Sequence, residues 1–461
     1  MTQAKGFDVL GLDSAILENL ASLKYLTMTP VQEKALPFIL EGRDMIAQAN
    51  TGSGKTAAFG LGIVAKLDLT SLSPQALVLC PTRELAEQVC VEIRRLARFT
   101  NNIKVLALCG GTEERFKAKS LEHGAHIIVG TPGRIKKLLE NKTLNVNKLK
   151  ILVLDEADRM LELGFIDDIN QIAAFTPIDR QTLLFSATFP HGIKTLSASL
   201  QENAAQVTVD SQHQLNDIKQ LFFPVANDEE KFDALLRLMN HYKPQSVIIF
   251  CKSRAVCIKL SQLLKKEKIS ALEIHGDLEQ QDRTLVLTKF ANKSCCVLVA
   301  TDVASRGIDI KDVDAVINFD LTSEHELYVH RIGRTGRAGK EGLSLSLYTP
   351  KESVYLESIS EYLKTLCVTV DLETLKVKKP FTLKPSMETI YISGGRKDGI
   401  RPGDILGALT KDAGLAGKEV GNIRILEVNS YVAIAVEQTQ RAIKHLSTGK
   451  IKGKKYKVGK A

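Results

Sequence analysis

The residues with the clearest chemistry lie near the start of the chain, in the segment AQANTGSGKT. There, Ala49-x4-Gly54-Lys55-Thr56 follows the apolar run DMIA with the spacing of a P-loop, with alanine in place of the first glycine. Backbone N–H groups of such a loop, and the N-terminus of the next helix, surround phosphates. Lys55 would reach the outer phosphates and Thr56 would bind magnesium. The segment predicts a nucleotide site formed by Ala49, Asn50, Thr51, Gly52, Ser53, Gly54, Lys55 and Thr56.

Two carboxylates follow an apolar run in the segment ILVLDEAD. A bare Asp-Glu pair is usually only the polar end of a strand. Here four apolar residues precede Asp155 and Glu156, and a P-loop lies earlier in the chain. Ligands of open α/β sheets bind at the carboxyl ends of the strands. We therefore expect Asp155 to hold magnesium through water, and Glu156 to position or deprotonate the attacking water.

A third segment, HRIGRTGR, supplies cations far downstream. Ser323 and Glu326 form a capping box that predicts a helix, on which His330 and Arg334 would lie one turn apart on the same face. The following glycine, Gly336, would end the helix and leave Arg337 on a turn. Two arginines aimed at one place suit the charge that develops on a transferring phosphoryl group. A solvated basic helix end is the alternative.

The elements that must position these residues recur along the chain as apolar strand, loop and helix. MIAQANTGSGKT, ALVLCPTREL, HIIVGTPGR, ILVLDEAD and TLLFSAT form a first set, and SVIIFCKSR, ALEIHGD, CCVLVATD and AVINFD form a second. Such units are typical of parallel sheets. The second set has no P-loop, so we expect one ATP, bound between two sheets. The predicted domains are residues 1–209, 218–375 and 387–461, joined by linkers 210–217 and 376–386.

Length and composition agree with a globular protein of several domains. A chain of 461 residues suggests about three domains at roughly 100–200 residues each. The 44% hydrophobic content is far above that of disordered chains. There is no apolar run of about 18 residues, the length that a membrane helix needs, and no secretory leader, so we expect a cytoplasmic protein. The 8 cysteines form no CxxC pair, which favours buried thiols over a zinc site.

The positive charge is concentrated near the C-terminus. Between Phe381 and Ala461 there are 15 lysines and arginines but only 7 aspartates and glutamates, a net charge of +8 out of +9 for the whole chain. A solvated basic surface would explain this, but concentration in one segment favours a module that binds a polyanion. The segment also alternates in the order βαββαβ, a ferredoxin-like pattern.

Taken together, the motifs of residues 1–375 resemble the ordered set of the DEAD-box RNA helicases. The signature itself is Asp155-Glu156-Ala157-Asp158. The other matches, in chain order, are TPVQ from Thr29 with Phe7 upstream, PTRELA from Pro81, Gly110-Gly111, TPGR from Thr131, Ser186-Ala187-Thr188, FCKSR ending at Arg254, HGD with Gln280 and Arg283, ATDVASRGIDI from Ala300, and HRIGRTGR.

The resemblance implies an ATP-dependent RNA helicase with ATP and Mg²⁺ as cofactors and two RecA-like domains in tandem. Gln32 would read the adenine edge, Tyr25 would stack on the base, and Gly307 and Asp309 would contact ATP from the second domain. Ser186 and Thr188, with Asp158 and His330, would couple the nucleotide to domain closure. ATP and RNA would close the domains, bend one strand and separate a short duplex without processivity.

RNA binding by the core also has a physical argument. Thr82 and Thr131 each follow a strand and precede a helix, so that the helix N-termini can point N–H donors at phosphates. Such backbone contacts carry little base information. Arg83, Arg134 and Arg254 could add charge, although each alone could equally be a surface ion-pair partner. With the positions that the resemblance implies, the expected core contacts are Pro81, Thr82, Arg83, Gly110, Gly111, Thr131, Pro132, Gly133, Arg134, Arg254, Gln280, Arg283 and Thr301.

The C-terminal segment resembles the RNA-binding domain of a bacterial DEAD-box group that is specific for large-subunit ribosomal RNA. The matching stretches are ISGGRKDGIRPGDILGALT, NSYVAIAV and GKIKGKKYKV. The implied target is a 23S rRNA hairpin near the peptidyl-transferase centre, and the implied role is assembly of the 50S subunit. No membrane or DNA partner is expected, and the absence of a heptad pattern favours a monomer.

The βαββαβ order is also that of an RNA-recognition motif, whose sheet stacks bases on aromatic residues. Tyr391 and Tyr431 occupy two such positions, but Ala433 and Val436 stand where further aromatics would be expected. We therefore favour as the contact surface a basic strand from Lys450 to Lys457 and an upstream basic cluster. Its residues are Arg396, Lys397, Arg401, Lys450, Lys452, Lys454, Lys455 and Lys457.

Two other functions use the same features. A DNA helicase or translocase would have the same two-domain ATPase core, but it would not be expected to have the TPVQ motif or the RNA-type C-terminal segment. A nonenzymatic RNA clamp would not need Lys55, Asp155, Glu156, Arg334 and Arg337 together.

Overall fold

The computed structural model describes residues 5–49, 52–100, 102–110, 121–189, 191–209, 218–302, 310, 313–336, 341–377 and 381–461. The described residues up to 209 form one compact unit, and those from 218 onward form another. None of the helices within these ranges is long and apolar enough to cross a membrane.

The described part of the first unit carries a 7-stranded parallel sheet in the order β3-β4-β2-β5-β6-β1-β7. Its strands are β1 (Met45–Gln48), β2 (Ala76–Leu79), β3 (Val105–Leu108), β4 (Ile127–Gly130), β5 (Ile151–Leu154), β6 (Gln181–Ser186) and β7 (Ala205–Thr208). The helices are α1 (Ser14–Ser22), α2 (Pro30–Glu41), α3 (Lys55–Ala65), α4 (Arg83–Leu96), α5 (Pro132–Glu140), α6 (Ala157–Glu162), α7 (Ile166–Ala174) and α8 (His191–Leu200).

The central strands of this sheet are buried on both faces. Along β2, Val78 packs in one apolar cluster with Phe59 and Phe185, and its neighbour Leu77 packs in another with Leu152. Helices that cover both faces of a parallel sheet explain why the strands are continuous apolar runs. The loops that follow β1, β2, β4, β5 and β6 all start at one edge of the sheet, and they carry the predicted motifs of this unit.

The second unit repeats the architecture, and its described part has a parallel sheet in the order β10-β11-β9-β12-β13-β8-β14. The strands are β8 (Ile218–Pro224), β9 (Val247–Cys251), β10 (Ala271–Ile274), β11 (Val297–Thr301), β12 (Ala315–Asn318), β13 (Gly342–Tyr348) and β14 (Val368–Thr369). The helices are α9 (Lys231–Tyr242), α10 (Arg254–Lys266), α11 (Gln280–Ala291), α12 (His325–Ile332) and α13 (Ser353–Leu363).

The same unit ends in a small antiparallel sheet in the order β16-β17-β15-β18. Its elements are β15 (Met387–Ile392), α14 (Pro402–Gly407), β16 (Val420–Ile425), β17 (Ser430–Ala435), α15 (Thr439–Thr448) and β18 (Val458–Lys460). Alternate residues such as Ile390 and Val432 pack under the helices. The predicted fold of two parallel-sheet domains followed by a βαββαβ domain is confirmed.

Three local predictions were wrong. Lys450 to Lys457 is not a strand, because Lys452 and Gly453 have φ angles of 51° and 81° and turn the chain before β18. Helix α12 begins at His325, and the hydroxyl of Thr322, not that of Ser323, accepts a hydrogen bond from the Glu324 N–H at 3.1 Å. The helix ends at Ile332, so Arg334 lies on the turn beyond it and not on the helical face.

The described part of the second predicted linker packs against the domain that precedes it. Residues 210–217 lie outside the described residues. In the segment 376–386, Leu383 is 3% exposed and packs in the core of the second parallel sheet with Phe381. The Leu383 carbonyl also accepts a hydrogen bond from the Ser270 N–H at 3.1 Å. The described part of this segment is therefore attached to the preceding domain.

Candidate functional site

The P-loop is held by the glutamine of the TPVQ motif. Gln32 is 1% exposed, its amide oxygen accepts from the Thr29 N–H at 2.9 Å, and its amide nitrogen donates to the Gly54 carbonyl at 3.2 Å. Gly54 has a φ angle of +98°, and a Cβ there would lie 2.6 Å from the Gln32 Nε2. Only glycine satisfies both the backbone angle and this close approach. The amide keeps one N–H and one lone pair for another partner.

Lys55, the first residue of α3, is buried, and its Nζ donates to the Ala49 carbonyl at 2.8 Å. The ammonium therefore lies within its own phosphate-binding loop. An ammonium has three N–H donors, so Lys55 can keep this bond and still donate to a phosphate. Asn50 and Thr51 of the predicted loop lie outside the described residues.

The second carboxylate of the DEAD motif sits on an unusual backbone. Asp155 follows β5, is 2% exposed, and its N–H donates to the Leu79 carbonyl at 3.0 Å. The next residue, Glu156, has a φ angle of +53° and directly precedes α6. A left-handed conformation is uncommon for a residue with a side chain, and in this chain it is found mostly at helix ends and turns, whereas Glu156 adopts it between a strand and a helix. The backbone thus turns sharply between the two carboxylates.

The last residue of the motif joins two loops. One oxygen of Asp158, Oδ2, accepts hydrogen bonds from Ala187 N, Thr188 N and Thr188 Oγ1, all at 3.1 Å. The Ser186 hydroxyl donates to the Thr188 carbonyl at 2.6 Å. The structure therefore brings together three of the four predicted coupling residues. The fourth, His330, lies on α12 in the other unit.

Tyr25 lies half-buried beside α4. Its hydroxyl donates to Glu92 Oε1, and its ring meets Phe7 edge-on at a centroid distance of 6.5 Å. Burial and, next, the hydrogen bond to Glu92 raise the pKa of Tyr25, so the phenol stays protonated. No local sequence pattern links Glu92 to Tyr25, because the two residues are 67 positions apart in the chain.

The predicted RNA contacts of the first unit lie at helix starts along the same sheet edge. Thr82 caps α4 and accepts from the Leu85 N–H at 3.3 Å, and Pro132 is the first residue of α5. Pro132 fits there because that position has no intrahelical N–H bond to lose. Pro81, Arg83, Thr131, Gly133 and Arg134 lie on these loops and first turns, whereas Gly110 lies two residues after β3 and Gly111 lies outside the described residues.

In the second unit, Arg254 starts α10 and forms an ion pair with Asp277 of the HGD segment. Gln280 and Arg283 lie in the first turn of α11, and Thr301 ends β11. All four predicted contacts thus lie at the carboxyl ends of β9, β10 and β11. The Arg254 side chain is 60% exposed, so another anion, such as a phosphate, could easily displace Asp277 from it.

The arginines of HRIGRTGR divide into different structural classes. Arg331 is 3% exposed, donates to both oxygens of Asp302 at 2.6 Å, and also bonds Asn318 Oδ1 at 3.1 Å and the Asp320 carbonyl at 2.8 Å. The sequence did not single out Arg331 because its chemistry equals that of its neighbours. Arg334, 5% exposed, follows the helix, and Gly307, Asp309 and Arg337 lie outside the described residues.

The open face of the small sheet is covered by the preceding parallel-sheet domain. Thr389 points away from the core of its own domain, yet it is 0% exposed. Its hydroxyl accepts from Asn292 Nδ2 at 3.2 Å and shares a 2.7 Å hydrogen bond with the Ser294 hydroxyl. Arg424 of the same face donates to the Thr288 hydroxyl at 3.0 Å. Three residues around the end of α11 therefore hold this sheet.

This covering bears on the two tyrosines. Tyr391 and Tyr431 pack against each other at 5.8 Å between ring centroids, and Tyr431 is only 9% exposed. Ala433, on the same face, is 1% exposed. In the structure as it stands, the sheet has little aromatic surface on which a base could stack.

The basic residues of the C-terminal domain are instead exposed at one end of the sheet. Lys452 Nζ donates to the Gly399 carbonyl at 2.8 Å, and the Lys457 N–H donates to the Ser393 hydroxyl at 2.8 Å. These bonds bring the two predicted basic clusters together. All members are exposed: Arg396, Lys397, Arg401, Lys450, Lys452, Lys454, Lys455 and Lys457. We call this set the basic edge.

Comparison with known proteins assigns the family. Residues 29–196 match the DEAD/DEAH box helicase model, residues 230–339 the helicase conserved C-terminal domain, and residues 389–460 the DbpA RNA binding domain. The chain is 47% identical over 448 residues to the ATP-dependent RNA helicase DbpA of Escherichia coli (strain K12), with 97% of each chain covered. The chain belongs to the DEAD-box RNA helicases.

Other relatives match the core of this DEAD-box helicase. The ATP-dependent RNA helicase CshA of Listeria monocytogenes is 43% identical over 358 residues, which is 78% of this chain and 69% of CshA. Saccharomyces cerevisiae Dbp5 bound to RNA and ADP BeF3 is 35% identical, with a TM-score of 0.73 over 80% of this chain and 96% of that one. Mss116p bound to ssRNA and AMP-PNP is 28% identical, with a TM-score of 0.71 and 80% of each chain covered.

The family gives the site its activity. This helicase is an RNA-stimulated ATPase with two RecA-like domains and a DbpA-type RNA-binding domain. Its first unit gathers the phosphate loop, the DEAD carboxylates and the Ser186-Ala187-Thr188 segment at one sheet edge. Chemistry and coupling residues are therefore neighbours on the same rigid scaffold.

Proposed function

We propose that the C-terminal domain directs this helicase to a 23S rRNA hairpin near the peptidyl-transferase centre, and that it acts in assembly of the 50S subunit. The observation that carries the proposal is the match of residues 389–460 to the DbpA RNA binding domain. The same segment holds nearly all of the net positive charge of the chain. The expected contacts of the core are to the RNA backbone and carry little sequence information, so a separate domain that recognises one RNA would supply the specificity.

The basic edge is the proposed hairpin-binding surface. Its lysines and arginines are exposed, while the open sheet face that an RNA-recognition motif ordinarily uses is covered. Charged side chains on a loop can follow the backbone of a folded hairpin, whereas stacking needs unpaired bases on a free sheet. Binding through this edge should therefore depend strongly on salt concentration.

For the chemical step, we propose the following roles. Gln32 and Tyr25 bind adenine, Lys55 neutralises the outer phosphates, and Glu156 aligns or deprotonates the attacking water. Arg334 and Arg337 stabilise the charge on the transferring phosphoryl group, and Gly307 and Asp309 complete the nucleotide contacts. In-line water attack forms the new P–O bond as the ADP oxygen leaves. The products are ADP and phosphate.

The residues present fit a magnesium ion held mainly by the nucleotide. Thr56 and Asp155 offer hard oxygen ligands at the carboxyl ends of β1 and β5. The described residues contain no group of three or more histidine, cysteine or acidic side chains that could hold a metal. Mg²⁺ typically takes one or two protein oxygens plus phosphates and waters. When bound, it would neutralise charge on the β- and γ-phosphates.

Coupling to RNA would run through the Asp158 bonds to residues 186–188. We propose that ATP and RNA close the two units, that His330 then joins the coupling residues, and that the closed groove bends one RNA strand. Phosphate release reopens the units, so unwinding is local and nonprocessive. The cytoplasmic location and the monomeric state stay predictions.

The proposal is tested by ATPase assays on the full chain with RNA that contains the hairpin or with bulk RNA of equal length. The hairpin RNA should raise kcat/KM far more. A variant with Lys452, Lys454, Lys455 and Lys457 changed to glutamine should lose this preference but keep the response to bulk RNA. Equal stimulation of the wild type by both RNAs would contradict the proposed target.

The two alternatives give different results in the same assay. A DNA translocase would be stimulated equally by DNA and RNA. A nonenzymatic clamp would hydrolyse ATP no faster than its Glu156→Gln variant.

A further inference from the structure

Tyr25 is attached to α4 by a partly buried hydrogen bond. The Tyr25 hydroxyl donates to one oxygen of Glu92, and Arg95 Nη1 lies 2.8 Å from the other. Glu92 is therefore held between a phenol and a guanidinium, one turn before the end of the helix. The side chain of Glu92 is only 19% exposed, so water competes weakly for these bonds.

The helix that carries this anchor is itself fixed to the N-terminal segment. Asn19 of α1 is 9% exposed, and its Nδ2 donates to the carbonyls of Leu96 at 2.8 Å and Arg95 at 3.2 Å. Both carbonyls lie in the last turn of α4, where the regular helical N–H partners run out, and the bonds from Asn19 tie this end of the helix to α1. Tyr25 thus has a fixed support on one side, and its ring packs perpendicular to that of Phe7.

We propose that Glu92 is a positioning residue for the nucleotide base: through the Tyr25 hydroxyl it fixes the ring on which adenine stacks. The inference rests on the proposed stacking role of Tyr25. A phenylalanine could stack equally well but would have no such anchor. A ring that is already ordered avoids part of the entropy cost of ordering when the base binds.

An anchored ring also affects base selection. Gln32 reads the base edge with the one N–H and one lone pair that its bonds to Thr29 and Gly54 leave available. This reading requires the base to lie at a constant distance from Gln32, and the stacking partner sets that distance. Loosening Tyr25 should therefore weaken ATP binding and also reduce the preference for ATP over GTP.

The test measures hairpin-stimulated hydrolysis by the full chain with variants Y25F, E92A, E92Q, Y25A and the double variant Y25F/E92A. Loss of the anchor should raise KM for ATP about threefold to tenfold, the range that follows from ordering one side chain. kcat should stay within about twofold, since no group at the phosphates changes. E92Q, which keeps a hydrogen-bond acceptor, should be milder than E92A. Glu122→Gln, on the exposed surface, is the control.

The double variant separates positioning from independent effects. If one hydrogen bond is responsible, Y25F/E92A should raise KM no more than the larger single change. The ratio of kcat/KM for ATP to that for GTP should fall in the same variants. If Glu92 only stabilised the packing of α4 and had no effect on the base, E92A would lower the thermal midpoint of unfolding and leave the ATP-to-GTP ratio of kcat/KM unchanged.

These variants test the positioning role of Glu92 separately from the stacking role of Tyr25. If Y25A leaves KM for ATP unchanged, the proposed stacking role of Tyr25 is wrong. If Y25A raises KM but Y25F and E92A do not, stacking stands and the positioning role of Glu92 is overturned. Additive effects in the double variant would also overturn it.

Discussion

The covered sheet face allows a prediction about one hydroxyl group. Replacing Thr389 by valine keeps the shape of the side chain but removes the partner of Asn292 Nδ2, at 3.2 Å, and of the Ser294 hydroxyl, at 2.7 Å. Asn292 is 2% exposed, so water cannot easily replace the lost bond. Leaving a buried polar group without its bond costs about 1–3 kcal/mol. The equilibrium for docking of the small domain should therefore fall about 5-fold to 150-fold.

The fold of the small domain itself should not change. Thr389 points away from its core, in which Ile390 and Ile392 are packed. Fluorescence energy transfer between a dye on α15 and one on α9, followed through a urea titration, would report undocking at lower urea in T389V. Thr448→Val, an exposed threonine of α15 bonded only within its helix, is the matched control.

RNA binding gives the second measurement. The basic edge does not include Thr389, so affinity for the hairpin should change less than about twofold. If docking of the small domain transmits hairpin binding to the ATPase site, the bound hairpin should stimulate hydrolysis less in T389V than in the wild type. In a Thr389→Arg variant this stimulation should fall further. An unchanged docking free energy in T389V, or hairpin affinity that falls as much as docking, would refute the reasoning.

Three further predictions concern the core. Gly54→Ala places a Cβ 2.6 Å from Gln32 Nε2 at a φ angle of +98°, so ATP affinity, measured by titration calorimetry, should fall at least about tenfold. Arg331→Met leaves Asp302 without its bidentate partner, and the free energy of unfolding in urea should fall by about 3–5 kcal/mol. Glu156→Gln keeps the backbone and shape, so hydrolysis should fall about 10²–10⁴-fold while ATP and RNA still bind.

Controls for these variants are available in the chain. Gly403→Ala meets no atom within 4 Å and should be silent, whereas a similar loss in Gly54→Ala and Gly403→Ala would contradict the steric argument. Arg331→Met with wild-type stability would mean that its buried bonds contribute little. An ATP affinity that falls with hydrolysis in Glu156→Gln would show that the carboxylate acts in binding.

The sequence predicted the fold and the sheet edge on which the motifs of the first unit lie. Short apolar runs such as the start of ILVLDEAD are typical of central parallel strands, and the carboxyl ends of such strands share one edge. The order of domains followed from the break in these runs and from the charge count. Both signals are local in the sequence.

What the sequence could not give depends on contacts between distant residues or on burial. Glu92 and Tyr25 are 67 residues apart, and no local pattern links them. Arg331 and Arg334 have the same chemistry, and only the structure shows that Arg331 is bonded to Asp302 and neighbouring groups. The segment from Lys450 to Lys457 was predicted to be a strand, but Lys452 and Gly453 have positive φ angles and turn the chain. A lysine does not indicate by its residue type that its φ angle will be positive.

The covered sheet also explains a feature that was ambiguous in the sequence. Ala433 stands where an aromatic platform residue would be expected, and in the structure it is 1% exposed on the covered face. A small side chain permits the close approach of another domain, which a phenylalanine there would prevent. At Ala433 the departure from the usual RNA-recognition pattern therefore agrees with the packing of the sheet face, whereas Val436, the other such position, is 45% exposed.

The left-handed backbone of Glu156 places activity and stability in opposition. A residue with a side chain pays about 1–2 kcal/mol for this conformation, which glycine adopts freely. Glycine also loses about 0.5–1 kcal/mol more backbone entropy on folding, so Glu156→Gly should produce an inactive protein whose thermal midpoint is equal to or slightly above that of the wild type. A search for thermostable variants that does not also select for ATP hydrolysis would tolerate replacement of Glu156, and the carboxylate on which hydrolysis depends would be lost.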